Sequence, residues 1–181
     1  MRVGEITAWL RSDHATGDGD CQLPLLGLEV SALDAAAPWP RPRGAGRGLS
    51  GWYWSSTTGS HLRYPTQQVL ARLLLADQDP AVTGIYPRPL RLQVAAEGGE
   101  AVEYVPELVL VDHDGAPRAV EIAAPDPTSG GGSGREVNWA ALLAGAGWGH
   151  EVFTGADRSR RSTGGRAGWR TRTRRGRTRR R

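Results

Sequence analysis

Residues 51–80 read GWYWSSTTGSHLRYPTQQVLARLLLADQDP, and the order of signals in this stretch decides the class of fold. Trp52, Tyr53 and Trp54 predict a short strand, because flat, bulky side chains suit a pleated surface. Thr57-Thr58-Gly59 ends it. Pro65 fits the first turn of a helix, where its missing N–H costs nothing. Thr66–Asp77 then predicts that helix: Val69, Leu70, Leu73 and Leu74 make one apolar stripe, and Asp79-Pro80 follows as a stop. The tryptophans at 52, 54, 139 and 148 are expected in the core.

Downstream, the period changes from helix to strand. Val82–Tyr86 and Leu90–Ala96 predict strands, the second with Leu90, Leu92 and Val94 alternating. Glu103–Val111 and Arg118–Ala123 predict two more, joined by the hairpin-type turn Asp112-His113-Asp114-Gly115. Residues 125–134 read as a flexible loop. Arg135–Ala146 predicts a helix stopped by Gly147, and Trp148–Phe153 a last strand. Upstream, residues 1–20 are polar and expected to be disordered. Leu23–Leu33 predicts a short apolar element, and residues 35–48 a loop. The order describes an α/β protein with a sheet flanked by helices.

Charge divides the chain. All 23 basic residues are arginine, and 12 of them fall in residues 158–181. The rest carries 11 arginines against 19 acids, a net of −8. The high pI therefore belongs to the tail and does not describe a basic face on the folded body. The single cysteine, Cys21, excludes an internal disulfide or a cysteine-rich zinc site. With no long apolar run and no signal pattern at the N-terminus, a cytoplasmic protein without a membrane span is expected.

Two carboxylates carry the candidate chemistry. Glu107 and Glu121 lie on predicted strands that pair through the 112–115 turn, about 4.8 Å apart, so both can reach one cation. Mg²⁺ takes oxygen ligands and often only one or two protein carboxylates. A glutamate on an alternating strand is equally the mark of a solvent face, and spacing alone does not separate the two. His113 suits a solvated turn, His61 a surface or packing position, and Cys21 a structural one.

The stretch Tyr53–Gly59, the LARLLLADQD block at 70–79, Val82–Pro89, Val105-Pro106-Glu107, Val120-Glu121-Ile122 and the EVFTGAD segment at 151–157 together resemble the TnsA-like heteromeric transposase endonuclease subunits, of the PD-(D/E)xK restriction-endonuclease-like superfamily. The resemblance covers residues from about 26 to 157, and the 57–80 block is its most specific part. It implies a restriction-endonuclease-like core, a mixed β-sheet flanked by helices, over 21–157. It also implies DNA and a partner transposase as binding partners, and Mg²⁺-dependent phosphodiester cleavage at transposon ends. Glu107 and Glu121 become the catalytic, metal-binding acids, with Gln67 (or its neighbour Gln68) a third contact. Three departures stand out. Pro65 follows Tyr64 where the family has a glutamate, Glu107 replaces an aspartate, and Ala123 stands where a lysine is usual. Arg118 can stabilise phosphate charge but cannot act as a base near neutral pH. The active site is thus degraded. A non-catalytic assembly module that binds the partner transposase is the alternative.

The tail at 158–181 is expected to be disordered. Arg170, Arg172, Arg174, Arg175 and Arg177 make it a candidate phosphate-binding arm, with salt-dependent and largely sequence-blind contacts. An Arg-tail nucleic-acid-binding protein and an out-of-frame end remain as further readings.

Overall fold

The computed structural model describes residues 6–12, 20–41, 49–95, 100–123 and 137–155. It is a mixed α/β protein, mostly sheet, with two helices. The strands are β1 (Thr7–Leu10), β2 (Cys21–Pro24), β3 (Gly51–Ser55), β4 (Ser60–Tyr64), β5 (Val82–Pro87), β6 (Leu90–Ala95), β7 (Ala101–Tyr104), β8 (Leu108–Asp112), β9 (Pro117–Ile122) and β10 (Gly149–Phe153). The helices are α1 (Gln67–Asp77) and α2 (Trp139–Gly145), with a 3-10 turn at Val30–Leu33. No described helix is long and apolar enough to cross a membrane.

The centre is a mixed sheet in the order β10-β9-β8-β5, in which β10 runs parallel to β9 and the other pairs are antiparallel. Side chains alternate across it, and each face meets a different core. Leu108, Leu110 and Val120 face α1, packing with its Val69, Leu73 and Ala76 and with Leu62 of β4. Val109 and Ala119 face the other way, onto Leu142, Leu143 and Trp148 and onto the second sheet, β2-β1-β6-β7. Each fully buried leucine contributes roughly 1.5–3 kcal/mol, and Leu73, Leu108, Leu110 and Leu143 are all 0 % exposed.

Local signals account for the helix ends. The Thr66 hydroxyl accepts from the Val69 N–H at 3.3 Å and caps α1. Pro65 therefore precedes the cap instead of entering the first turn. Asn138 caps α2 through the Ala141 N–H at 3.0 Å, and Gly147 takes φ +80 just past its end, where a left-handed residue is needed.

Four expectations are corrected. Residues 6–12 are not a disordered leader: β1 pairs with both β2 and β6, and Ile6, Ala8 and Leu10 are buried. The alternation in ITAWL is a strand pattern that the polar surroundings hide. The segment 103–111 is two strands, not one. Pro106 has no N–H to give a ladder, and the chain crosses there from the second sheet into the central one. Residues 60–64 form a strand that pairs with β3. Finally, Trp52 and Trp54 are 67 % and 55 % exposed, while Trp148 is buried.

Candidate functional site

Glu107 lies in the link between β7 and β8, not within a strand. Its N–H donates to the Val120 carbonyl at 2.9 Å, although Leu108 is already the cross-strand partner of Val120. Two residues thus oppose one, an irregularity of the bulge kind that re-aims side chains at the end of a sheet. Glu121 lies one residue further along β9, on the face that carries Ala119. The pairing expected from the sequence does bring the two acids to the same end of the β8–β9 hairpin, and both charges act on Tyr104.

The surroundings of Glu107 differ from the expected ones. Its carboxylate is held by two guanidiniums: Arg88 Nη1 donates to Oε1 at 2.8 Å, and Arg41 Nη2 donates to Oε2. Arg88 is itself fixed on every side. Its Nε and Nη2 donate to the carbonyls of Trp39 and Pro40 at 3.0 and 3.2 Å, its N–H donates to the Glu107 carbonyl, and its own carbonyl accepts from the Trp39 N–H. Arg88 also takes φ +47, a conformation that side chains disfavour by about 1–3 kcal/mol and that the surrounding bonds must hold in place. Burial pulls the Arg41 pKa down and the charges of Arg88 and Arg63 add to that, against the pull of Glu107. Two guanidiniums therefore share one carboxylate, and the charge of Arg63 acts on Arg41 besides.

Glu121 is half exposed and its Oε2 lies 3.8 Å from His150 Nε2. The His150 Nε2 and the Tyr104 hydroxyl are both buried and make no hydrogen bond in the protein. The Tyr104 ring stacks on Trp139 at 5.0 Å and meets His150 edge-on at 6.2 Å. Burial raises the Tyr104 pKa, and the charges of Glu121 and Glu107 raise it further, so the hydroxyl stays protonated. Sequence reasoning missed Arg41, Arg88, Tyr104 and His150. Only the Arg88-Pro89 step, a constrained dipeptide, gave any local signal.

Gln67 opens α1 with its side chain exposed, on the helix that covers the opposite face of the central sheet. Ala123 sits at the end of β9, its N–H bonded to the Phe153 carbonyl. Arg118 is taken by Asp112 at 2.6 Å and approaches Glu151 at 3.6 Å. Burial alone lowers its pKa, but those carboxylates raise it overall. Glu151 in turn receives both Nε and Nη2 of the buried Arg72, at 2.7 and 2.8 Å, which ties α1 to β10 and lowers the Glu151 pKa. His113 donates its backbone N–H to the Ala81 carbonyl in the turn, and Cys21 is exposed on β2. The tail arginines 170, 172, 174, 175 and 177 lie outside the described residues.

This arrangement does not fit Mg²⁺. The ion binds negatively charged oxygen ligands, and the charge of Glu107 is already countered by two guanidiniums, which repel a cation. Among the described residues no group of three or more His, Cys, Asp or Glu side chains converges to hold a metal. What the Glu107 end can do is receive an anion: a phosphate can share Arg41 and Arg88 with the carboxylate, taking one N–H from each.

A second polar centre lies on the other side of the central sheet. The Asp77 carboxylate, at the end of α1, accepts from Tyr53 Oη at 2.7 Å, Ser55 Oγ at 2.7 Å, Ser56 Oγ at 3.0 Å, and the N–H groups of Ser56 and Thr57 at 3.2 and 2.9 Å. Burial works to raise its pKa, but the bonds from Tyr53, Ser55 and Thr57 prevail and hold it well below the usual carboxylate range. Tyr53 is pushed up to about 12 chiefly by the same bond. This clasp fixes the β3–β4 hairpin to α1.

A shallow cavity of about 420 Å³ is lined by residues 27–31, Gly115, Pro117 and 146–148. It lies at the turn end of the β8–β9 hairpin, away from both acids, and Glu29 is the one ionisable side chain in its lining. It carries no catalytic constellation. No protein-family model matches the chain, and no curated protein matches it.

Proposed function

We propose that this chain is a TnsA-like, endonuclease-fold subunit of a heteromeric transposase that handles DNA at transposon ends, with its Mg²⁺-dependent hydrolysis centre impaired. The family resemblance of residues 26–157 supplies the transposase context. The single observation that carries the impairment is the Glu107 carboxylate, whose two oxygens are held by Arg41 and Arg88. A metal binding there would have to compete with the charge of two guanidiniums, one of them fixed by two further side-chain bonds to carbonyls. The position where the family has its lysine holds Ala123, so no side chain there supplies a base or a phosphate contact.

On this reading the residues bind DNA and do not cut it. Arg41 and Arg88 are pre-organised for a phosphate, Arg63 adds charge beside them, and Glu107 keeps the guanidiniums in place when DNA is absent. Cleavage falls to the partner transposase. The test is strand-specific cutting of a labelled transposon-end duplex, with Mg²⁺ or Mn²⁺ and the partner transposase present. Cuts that need this subunit and vanish in both Glu107→Ala and Glu121→Ala would show an intact nuclease and defeat the proposal. Binding of duplex and partner without such cuts supports it.

A further inference from the structure

The β3–β4 hairpin has two faces of opposite character. Tyr53, Ser55 and Leu62 point inward, to Asp77 and the α1 core. Gly51 belongs to this side: a Cβ there would come within 2.5 Å of the Tyr64 hydroxyl, so only glycine lets that ring lie across the strand. The outward face carries Trp52, Trp54, His61 and Arg63. They are paired across the strands as Trp52↔Arg63 and Trp54↔His61, and all four are exposed. Among the described residues no second layer covers this face of the two-stranded hairpin. Two tryptophans side by side on one open face, rimmed by His61 and Arg63, have the character of a binding surface.

We infer that this face is a stacking platform for unpaired bases of a nucleic acid. Three observations select that partner. Trp52 and Trp54 alternate along one strand, so successive bases can lie on them, and stacking on aromatic rings is the sequence-tolerant way to hold single strands. The Trp54 ring is propped by His61, edge-on at 4.9 Å, which fixes its plane. The face is also bordered by positive charge: Arg63 lies on it, and Arg63 and Arg88 stand close enough to Arg41 for their charges to act on it. In a body that carries net −8 outside its tail, Arg63 thus sets a guanidinium directly across from Trp52. A phosphate on Arg63 and bases on the two tryptophans lie on the same outward face of the hairpin. The Asp77 clasp keeps the platform rigid, which lowers the ordering cost of binding.

The inference does not need the transposase reading. Its test is binding of labelled oligo(dT) and of a blunt duplex to the full chain, in EDTA and at about 0.3 M salt, where contacts made by phosphate alone are weakened. Trp52→Ala/Trp54→Ala is expected to weaken oligo(dT) binding by about tenfold per tryptophan and to leave the duplex nearly unchanged. Arg63→Gln is expected to reduce the salt slope by about one. Trp54→Phe, which keeps a ring, should retain most of the affinity and guards against a folding artefact. Photo-crosslinks from 5-iodouracil should map to Trp52 or Trp54. Unchanged oligo(dT) affinity in the double variant overturns the inference. So do crosslinks that avoid the hairpin, or loss of partner-protein binding alone, which would make this face a protein dock.

Discussion

Asp77 and Glu107 are both carboxylates saturated with donors, yet they do opposite things. Asp77 takes its bonds from neutral hydroxyls and backbone amides within residues 53–57. Its charge is solvated by the protein and remains, so the cluster is structural. Glu107 takes its bonds from Arg88, 19 positions away, and Arg41, 66 positions away. Its charge is more than cancelled, and the surplus is positive. At Asp77 the neutral donors make a clasp, whereas at Glu107 the two guanidiniums leave positive charge that an anion can meet. The distinction bears directly on function, because a metal centre needs uncompensated negative charge and a phosphate site needs the reverse.

The largest expected effect breaks the clasp. Asp77→Ala leaves the fully buried Ser55 hydroxyl and the Tyr53 hydroxyl without an acceptor, and should cost about 3 kcal/mol in chemical denaturation. The same carboxylate gives a pH signature. Its folded pKa is depressed, so its stabilisation is fully present above the unfolded value of about 4 and is lost as the pH falls below that. Acid titration of stability should show this loss in the native chain and not in Asp77→Asn. A native chain as stable at pH 3 as at pH 6 would mean the clasp contributes little.

Next comes the Glu107 end. Arg88→Ala removes the side-chain bonds to Glu107, Trp39 and Pro40 from a largely buried position, and should cost about 2 kcal/mol. It also uncovers one oxygen of Glu107, so Mn²⁺ affinity, read by calorimetry, should rise while duplex affinity falls. A fall in both would mean that Arg88 organises the acids instead of blocking them. The smallest effect sharpens the contrast. The Tyr104 hydroxyl is buried without a partner, whereas every donor at Asp77 is used. Tyr104→Phe should therefore change stability by less than about 1 kcal/mol, in either direction. A loss well beyond that would reveal a bound group at the hydroxyl.

Much of this architecture was legible because it is local. The α1 helix with Val69 and Leu73 inward, the stop at Gly147, the 112–115 turn and the placing of Glu107 and Glu121 at one end of the hairpin all follow from neighbours in sequence, whereas Leu74, read into the same stripe, is exposed. The aromatic run was legible too, but misread. Trp-Tyr-Trp has a period of two, so one face had to be Tyr53 and the other Trp52 and Trp54; the absence of a covering layer among the described residues decides that the tryptophans are outside. The strand at Thr7–Leu10 was hidden by its brevity. The break at Pro106 was visible as a residue but not as a change of sheet. The guanidiniums on Glu107 had no local signal at all: Arg41 comes from a Pro- and Arg-rich loop, and nothing in its spacing points to a carboxylate 66 residues on. Long-range ion pairs are written in the topology, and topology is what spacing fails to give.

The most direct test of the central claim is metal-dependent nicking of a labelled transposon-end duplex by the full chain in Mn²⁺, with its partner transposase present. The account predicts duplex binding with no nick that depends on Glu107 or Glu121. A nick made by the native chain and abolished by Glu107→Ala and by Glu121→Ala would contradict it, showing that DNA or the partner draws Arg41 and Arg88 away and opens a working centre.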